Sequence, residues 1–554
     1  MVLTRRRFTV TLPTMRQDRC HEKILISVLL APTWFFVMGP AHAADHCVRE
    51  GAAGANDGSD WTNAWTSLPD DLTRGDVYYV ADGSYGTAEF DDPESGEDTI
   101  TIRKAVPADH GPDAGWDDSF GDGQATWNRW TLAAGHYVFD GATGGGDRRE
   151  SYGFHLTPAA CDFSADYHLA EFGTNPDCSH VEFRHIFFEG CGDTDPFCSN
   201  GIKSNSYLGE NTGSLIAENL FYGNAVHLVL YHWHDTVVET NFFDENWSSS
   251  GCHGEQVTFG GNSDDVVYRF NTHRNSATGG LAVHEGDNNR WLVHGNIFYG
   301  GSVTMGVIGT ADSGESHPDV IRNWEVHHNT VYQVTGGGHG SGFFQGECTD
   351  EAYRSAVYNN LFVNTVHPVF QSTANACVGH DYNSFHDCTW LGTGAEPDEP
   401  NVFMGSGDPF LDSAGHDFHL AMATDPGLSL PAPFDTDYDG NPRGADGVWD
   451  RGAYEYSVPR PCDVMGGTCC DPGMICVGGR FASSTDCGLQ CCLEGSCAAA
   501  MEEEPVESAE NDIPGEADID GGSDAVADDA GTGDPEEERH GDSGESGCGC
   551  AVVT

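Results

Sequence analysis

Three stretches of the chain place imidazole and carboxylate groups at almost one distance after an asparagine. His232 and His234 follow Asn219 by 13 and 15 residues; His253 and Glu255 follow Asn241 by 12 and 14; His284 and Glu285 follow Asn271 by 13 and 14. In "CHGEQVTF" a strand's alternation puts His253 and Glu255 on the same face. Stacked imidazoles and carboxylates of this kind bind a metal ion or move a proton. His253, Glu255 and His284 are therefore candidate catalytic groups. Glu255, Glu285 and Asp287, with Asp264 nearby, are candidate oxygen donors for Ca²⁺, and His232 and Trp233 are candidate substrate contacts. The plainer reading is a solvated outer face, or histidines satisfied inside a wall, in a chain with 26 of them.

Basic groups are scarcer. After residue 44 the only lysines are Lys104 and Lys203. Lys203, in "SNGIKSNS", follows His185 by 18 residues and is the candidate lysine base. Arg274, in "NTHRNS", is the arginine candidate, although the ordinary guanidinium pKa lies far from neutral. Trp233, Trp247, Trp291 and Trp324 suit either stacking on sugars or filling a core. The stretch "DTDYDGNPRGAD", Asp435 to Asp446, alternates Asp at 435, 437 and 439 with Gly440 in sixth place. Its twelfth residue is Asp446 rather than Glu, so it reads as a terminal turn that resembles a Ca²⁺ loop only in part.

The elements that must carry these residues repeat. Runs around His185, Asn219, Asn241, Asn271, Asn296, Asn329, Asn360 and Asn383 share a short apolar, asparagine-anchored pattern, as in "HGNIFY". The steps between them are 34, 22, 30, 25, 33, 31 and 23 residues. Repeats of this size mean a solenoid, and short alternating apolar runs bounded by Gly, Asn and Asp mean strands. One strand-rich unit per turn with Asn at a fixed corner predicts a parallel β-helix. Asn tolerates the left-handed backbone of a sharp corner, and stacked Asn side chains can bond along the axis.

This pattern resembles the right-handed parallel β-helix superfamily, the pectate-lyase-like fold, over about residues 46 to 457. "GDVYYVADGSYG" (Gly75 to Gly86) resembles an opening coil; "DPFLDSAGHDFHL" and "DTDYDGNPRGADGVWDRGAYEY" resemble closing segments. "DWTNAWTSL" (Asp60 to Leu68) reads as a short helix covering the first coil. The resemblance implies polysaccharide as substrate and, among the reactions of this fold, β-elimination on an acidic glycan. There a Lys or Arg base removes the C5 proton and a cation, often Ca²⁺, neutralises the carboxylate. Hydrolases of the fold use paired carboxylates instead. Non-catalytic adhesins share the fold, so a glycan-binding or display protein is the alternative.

The rest of the sequence bounds the setting. The 554-residue chain has 25 Lys+Arg, 87 Asp+Glu and a net charge of −62, which excludes a nucleic-acid partner. "KILISVLLAPTWFFVMGPAHA" has Lys23, an apolar run from Ile24 to Met38 and Ala41-His42-Ala43, an export signal over residues 1–43. "TRRRF" is separated from the apolar run by "RQDRCHEK", so a start at Met15 is preferred to a twin-arginine signal. Residues 44–458 form the β-helix. Residues 459–500 hold eight cysteines from Cys462 to Cys497 with no His, a disulfide-rich module resembling a knottin framework rather than a zinc site. Residues 501–554 are a disordered acidic tail. The final "SGCGCAVVT" resembles the start of a surface-sorting signal without its membrane helix and basic cluster. A secreted monomer, anchored to a surface through this tail, is expected. The β-helix itself has nine cysteines, so one is odd. No "GxSxG" nucleophile motif supports a protease.

Overall fold

The computed structural model describes residues 43–499 apart from short internal stretches, the longest being 311–319 and 346–353. The expected export signal and acidic tail lie outside the described residues, as do His253 and Glu285. The chain divides between Val458 and Pro459 into two compact units.

The first unit is all-β, a right-handed parallel β-helix. Three parallel sheets of 12, 13 and 10 strands run its length. Each coil contributes a strand to the first sheet, turns a tight corner into the second, and reaches the third through a loop. One such coil is Val267–Arg269, Thr272–Ser276 and Gly279–His284. Its three strands pair in parallel with Leu292–His294, Ile297–Val303 and Ile308–Thr310 of the next coil. Short β-branched and aromatic runs suit such strands, because alternate side chains fill the interior while the backbone pairs with coils above and below. Inside the second sheet, Phe188, Phe221, Phe243, His273 and Phe298 form a column with ring centroids 4.4 to 5.1 Å apart. Trp291 and Trp324 stack at 4.4 Å within the core. Their role is packing, not sugar stacking.

The corner between the first two sheets is a ladder of seven asparagines: Asn219, Asn241, Asn271, Asn296, Asn329, Asn360 and Asn383. Asn296 shows the rule. Its Oδ1 accepts from the backbone N–H of Asn271 at 2.9 Å and from Asn271 Nδ2 at 3.1 Å. Its own Nδ2 donates to Asn329 Oδ1 and to the carbonyl of Tyr268, both at 3.0 Å. The last rung ends on a carboxylate: Glu399 accepts from the N–H of Asn383 at 3.0 Å and from its Nδ2 at 2.9 Å.

The left-handed residue of the corner is not the asparagine but the one before it. Glu218, Thr240, Phe270, His328, Asn359 and Tyr382 have φ between 54° and 59°. His185, expected as a ladder rung, occupies that preceding position with φ 54°. Ile186 stands in the ladder column and its N–H donates to Asn219 Oδ1 at 3.0 Å. Each non-glycine in this conformation costs roughly 1–2 kcal/mol, which the buried ladder bonds offset.

The expected helix over Asp60–Leu68 does not form. Asp60 Oδ1 accepts from the N–H groups of Thr62 and Asn63 at 2.9 and 2.8 Å, a local turn that competes with helical bonding. The segment still packs at the first coil: Trp61 is buried against Trp116 and Phe120, and Trp65 bridges to Val48. At the other end, the hairpin Phe410–Asp412/Asp417–Leu420 and the segment that follows it cover the outward face of the second sheet. They bury Ile297, Tyr299, Tyr332, Leu361 and Val363 with Phe418 and Tyr454. His419 ties them, contacting Asp417 at 2.5 Å and Asp439 at 3.0 Å.

In the second unit, short antiparallel strands are cross-linked by Cys462–Cys491 and Cys470–Cys497, as expected for a disulfide module. In the first unit Cys161 pairs with Cys191, whereas Cys47, Cys178 and Cys388 are thiols.

Two outcomes follow. Asn296→Ala removes one acceptor and two donations from the ladder. At about 1–3 kcal/mol per orphaned buried group, it should lower unfolding stability by about 3 kcal/mol or more, read from the denaturant midpoint. An unmoved midpoint would contradict the ladder's role. Burial pulls the pKa of His185 and His419 down, but hydrogen bonds to Asp140 and Glu218, and to Asp417 and Asp439, outweigh it and raise both to about 9. Both exceed the ordinary 6.5, so their stabilisation is complete below about pH 6.5 and lost as pH rises through about 9. Melting temperature should fall across that window, and less so in His419→Gln.

Candidate functional site

The three outward faces differ. The first sheet presents a row of ion pairs, such as Glu239 with Arg269 at 2.6 Å. The second is largely covered by the closing segment. The third presents, coil after coil, Thr131, Glu171, Lys203, Val229, Thr258, Ala282 and Gly309 in one register column. Neighbours in that column lie about 4.8 Å apart, the strand spacing. Its first members are half-exposed and Thr258 and Ala282 are buried, so Lys203 stands where the face opens.

Lys203 is the register partner of Glu171 in the preceding coil. Glu171 in turn holds the guanidinium of Arg129 one coil earlier, and Arg129 lies 5.7 Å from the ring centroid of Tyr167. Beside them His168 Nδ1 is 3.2 Å from Asn200 Nδ2. Burial, then the positive charges of Lys203 and Arg129, push the His168 pKa down to about 3, so its imidazole is neutral. Arg129, His168 and Glu171 were not singled out from sequence. A spacing that runs forward from the asparagines does not reach them, because these residues lie in coils before the first one. The signal was the alternation in "HLAEF" one coil before Lys203.

Two of the expected imidazole and carboxylate groups do converge. Glu255 and His284 lie on adjacent third-sheet strands, with His284 Nε2 at 3.4 Å from Glu255 Oε1. Glu255 is wholly buried and the His284 side chain is 10% exposed, so the pair is sealed rather than presented to a polymer. The strand is held from inside: Gln256 Nε2 donates to the carbonyl of Arg274 at 2.7 Å, and its Oε1 lies 2.8 Å from His273 Nδ1. Burial keeps His273 well below the usual imidazole range.

Other expected positions are elsewhere. Trp233 is fully buried; its Nε1–H donates to Ser204 Oγ at 3.1 Å and its ring meets Phe172 edge-on, so no face is left for a sugar. His232 is half-buried with φ 59°, its ring against Gly261, where a Cβ would sit 2.6 Å from Nε2. Arg274 lies on the second sheet. Two bonds of 2.6 Å clamp it to Asp244, and a third contact reaches Asp147 at 3.1 Å. The Asp244 bonds raise its pKa further above the ordinary guanidinium value. Lys104 is sealed in the wall, 2.7 Å from Asp82 and 2.6 Å from the carbonyl of Ala105.

Of the expected Ca²⁺ donors, Glu285 lies outside the described residues. Among the described residues no three His, Cys, Asp or Glu side chains converge. Asp287 pairs with Arg322 at 2.8 Å, and Asp264 accepts from the N–H of Asn289 at 3.0 Å. In the 435–446 loop, Asp437 accepts from the N–H groups of Asp439, Asn441 and Glu455 and from Asn441 Nδ2, which closes the turn without a cation.

No protein-family model matches the chain. No curated protein matches it either. Among solved structures, it is similar to pectate lyase Pel9A at 11% identity and a TM-score of 0.45, covering 75% of this chain and 97% of that one. A mannuronic acid specific polysaccharide family 6 lyase from human gut microbiota matches at 12% and 0.32, over 61% of this chain and 78% of its own. The A-module of the mannuronan C-5 epimerase AlgE6 from Azotobacter vinelandii matches at 11% and 0.31, over 60% and 91%. At this identity and TM-score the likenesses assign neither a site nor a reaction to this chain.

Arg274→Ala should destabilise the β-helix by about 2 kcal/mol, because it leaves the buried Asp244 carboxylate without its cation. It should leave any activity per folded molecule intact. A loss of activity at unchanged stability would restore Arg274 to the chemistry.

Proposed function

We propose that the β-helix acts on an acidic polysaccharide along the outward face of its third sheet, by β-elimination with Lys203 as the base. The observation that carries this is the placing of Lys203. Of the two lysines in the described chain, Lys104 is sealed in the wall. Lys203 points outward from a column whose next members are the small residues Val229, Thr258, Ala282 and Gly309. The half-exposed stretch of that column is Thr131, Glu171, Lys203 and Val229, and a linear polymer lying along it would meet Lys203.

In this reading the Lys203 amine, in its neutral form, takes the C5 proton of a uronate. The C4–O4 bond breaks, a C4–C5 double bond forms, and the departing O4 is protonated from water. Arg129, one coil beyond Glu171, lies within the reach of the sugar carboxylate whose charge grows as the proton leaves. Ca²⁺ enters only as a component to be tested, since the described donors do not fit it. Disulfides such as Cys161–Cys191, Cys462–Cys491 and Cys470–Cys497 fit an oxidising compartment, so the protein is read as secreted, with its acidic tail as a candidate surface anchor.

A second reading, a non-catalytic glycan-binding display protein, is favoured by one observation. Glu255 and His284 are sealed and Arg274 is clamped, so Lys203 has no companion base or acid among the described candidates.

The test is ultraviolet absorbance of newly formed unsaturated uronates on pectate, alginate and glycosaminoglycans, each with Ca²⁺ and with chelator. One polymer should give a rise that Lys203→Ala lowers by about 10²-fold or more. No rise and no new reducing ends on any polymer would move the assignment to the display reading.

A further inference from the structure

The second sheet's outward face is covered over most of its length, but not at its first coils. There the register column runs Ser84, Thr126, His155, then Phe187. Ser84 is exposed, and Thr126 and His155 are half-buried, which leaves a polar trough open to solvent. Three groups close its far end. His155 Nε2 lies 2.9 Å from Glu189 Oε2, and its ring stacks on Phe187 at 4.6 Å with planes 10° apart. The guanidinium of Arg149 lies 3.6 Å above the ring centroid of Tyr222, which is the register partner of Glu189.

The hydrogen-bonding capacity of these groups is unequally used. Glu189 is engaged by His155, whose hydrogen bond holds its carboxyl below the usual range. Arg149 is 44% exposed, and its ion-pair contact among the described residues is a 3.9 Å approach to Glu189. A half-exposed guanidinium held over an aromatic ring is prepared for bidentate carboxylate recognition. The neighbouring His–Glu pair offers a donor and an acceptor at the spacing a sugar hydroxyl uses, and the half-exposed rings of Tyr222 and Phe242 give an apolar flank. None of these residues belongs to the third-sheet face.

We propose that this trough is a separate uronate-binding subsite, in which Arg149 takes the sugar carboxylate and His155 with Glu189 takes a ring hydroxyl. It shares the acidic-glycan class of the function proposed above, but its geometry is independent of Lys203. It would hold the polymer on a second face without cleaving it.

The experiment is calorimetric titration of the full chain with trigalacturonate and with a neutral hexose trisaccharide, using wild type, Arg149→Ala, Arg149→Lys and Lys203→Ala. Wild type should bind the acidic sugar. Arg149→Ala should weaken binding about tenfold or more and Arg149→Lys should restore it only in part, and the Arg149-dependent part of the binding should persist in Lys203→Ala, whatever that variant loses at the third-sheet face. Protection of Arg149 from an arginine-selective dicarbonyl reagent by trigalacturonate gives a second readout that does not depend on a variant folding. Binding that survives in Arg149→Ala but is lost in Lys203→Ala overturns this subsite and supports the third-sheet face. Equal binding of the neutral sugar, or no binding and no protection, overturns it outright.

Discussion

The asparagine ladder is the constraint on which the rest of the structure rests. Each Asn side chain accepts from one coil and donates to its neighbours, so every rung fixes the rise and the register of the next. Register in a parallel stack decides which residues share a column. The same ladder that saves buried backbone groups from being orphaned therefore sets Lys203 beside Val229, since Asn219 accepts from the N–H of Ile186 in the Lys203 coil. The ladder also needs an end. Glu399, all acceptor, closes it where a further asparagine would leave an unmatched donor pair.

The outward faces are partitioned by what covers them. The closing segment is organised around Arg443, which donates to the carbonyls of Thr436, Asp450, Gly452 and Ala453. Its edge reaches the ladder through Arg451, which donates to the carbonyl of Asn383 at 3.0 Å. A β-helix has outward residues on every strand, and most of this chain's polar outward residues are spent on such ties. Among the described residues, the first half of the third sheet and the first coils of the second are open stretches where chemistry is accessible.

Much of the fold was legible because its signal is periodic. Asn219 through Asn383 recur with apolar runs after each, and a ladder needs that residue at that place. The off-by-one at His185 came from reading two adjacent corner positions as one. Backbone handedness leaves no residue-type signature when Phe270, Thr240 and Tyr382 all adopt it. The failure over Asp60–Leu68 has a different cause: a side-chain turn at Asp60 outweighed local helix pattern. The site was less legible. Counting offsets brought Glu255 to His284, yet could not show that the pair is sealed. Trp233 illustrates the same limit, since alternation places a residue on a face only where the strand is regular, and this tryptophan follows a left-handed His232 that turns it inward. Arg274 is clamped by Asp244, 30 residues away in sequence, and Asp147, 127 residues away, adds a third contact.

The most direct measurement is a crystal structure of the Lys203→Ala protein with a bound acidic oligosaccharide. The account predicts a sugar chain crossing the third sheet's outward face over Thr131, Glu171 and Val229, with a uronate C5 at the place the Lys203 amine would occupy, within about 3.5 Å. An oligosaccharide found only on another face, with the third sheet bare, would contradict it.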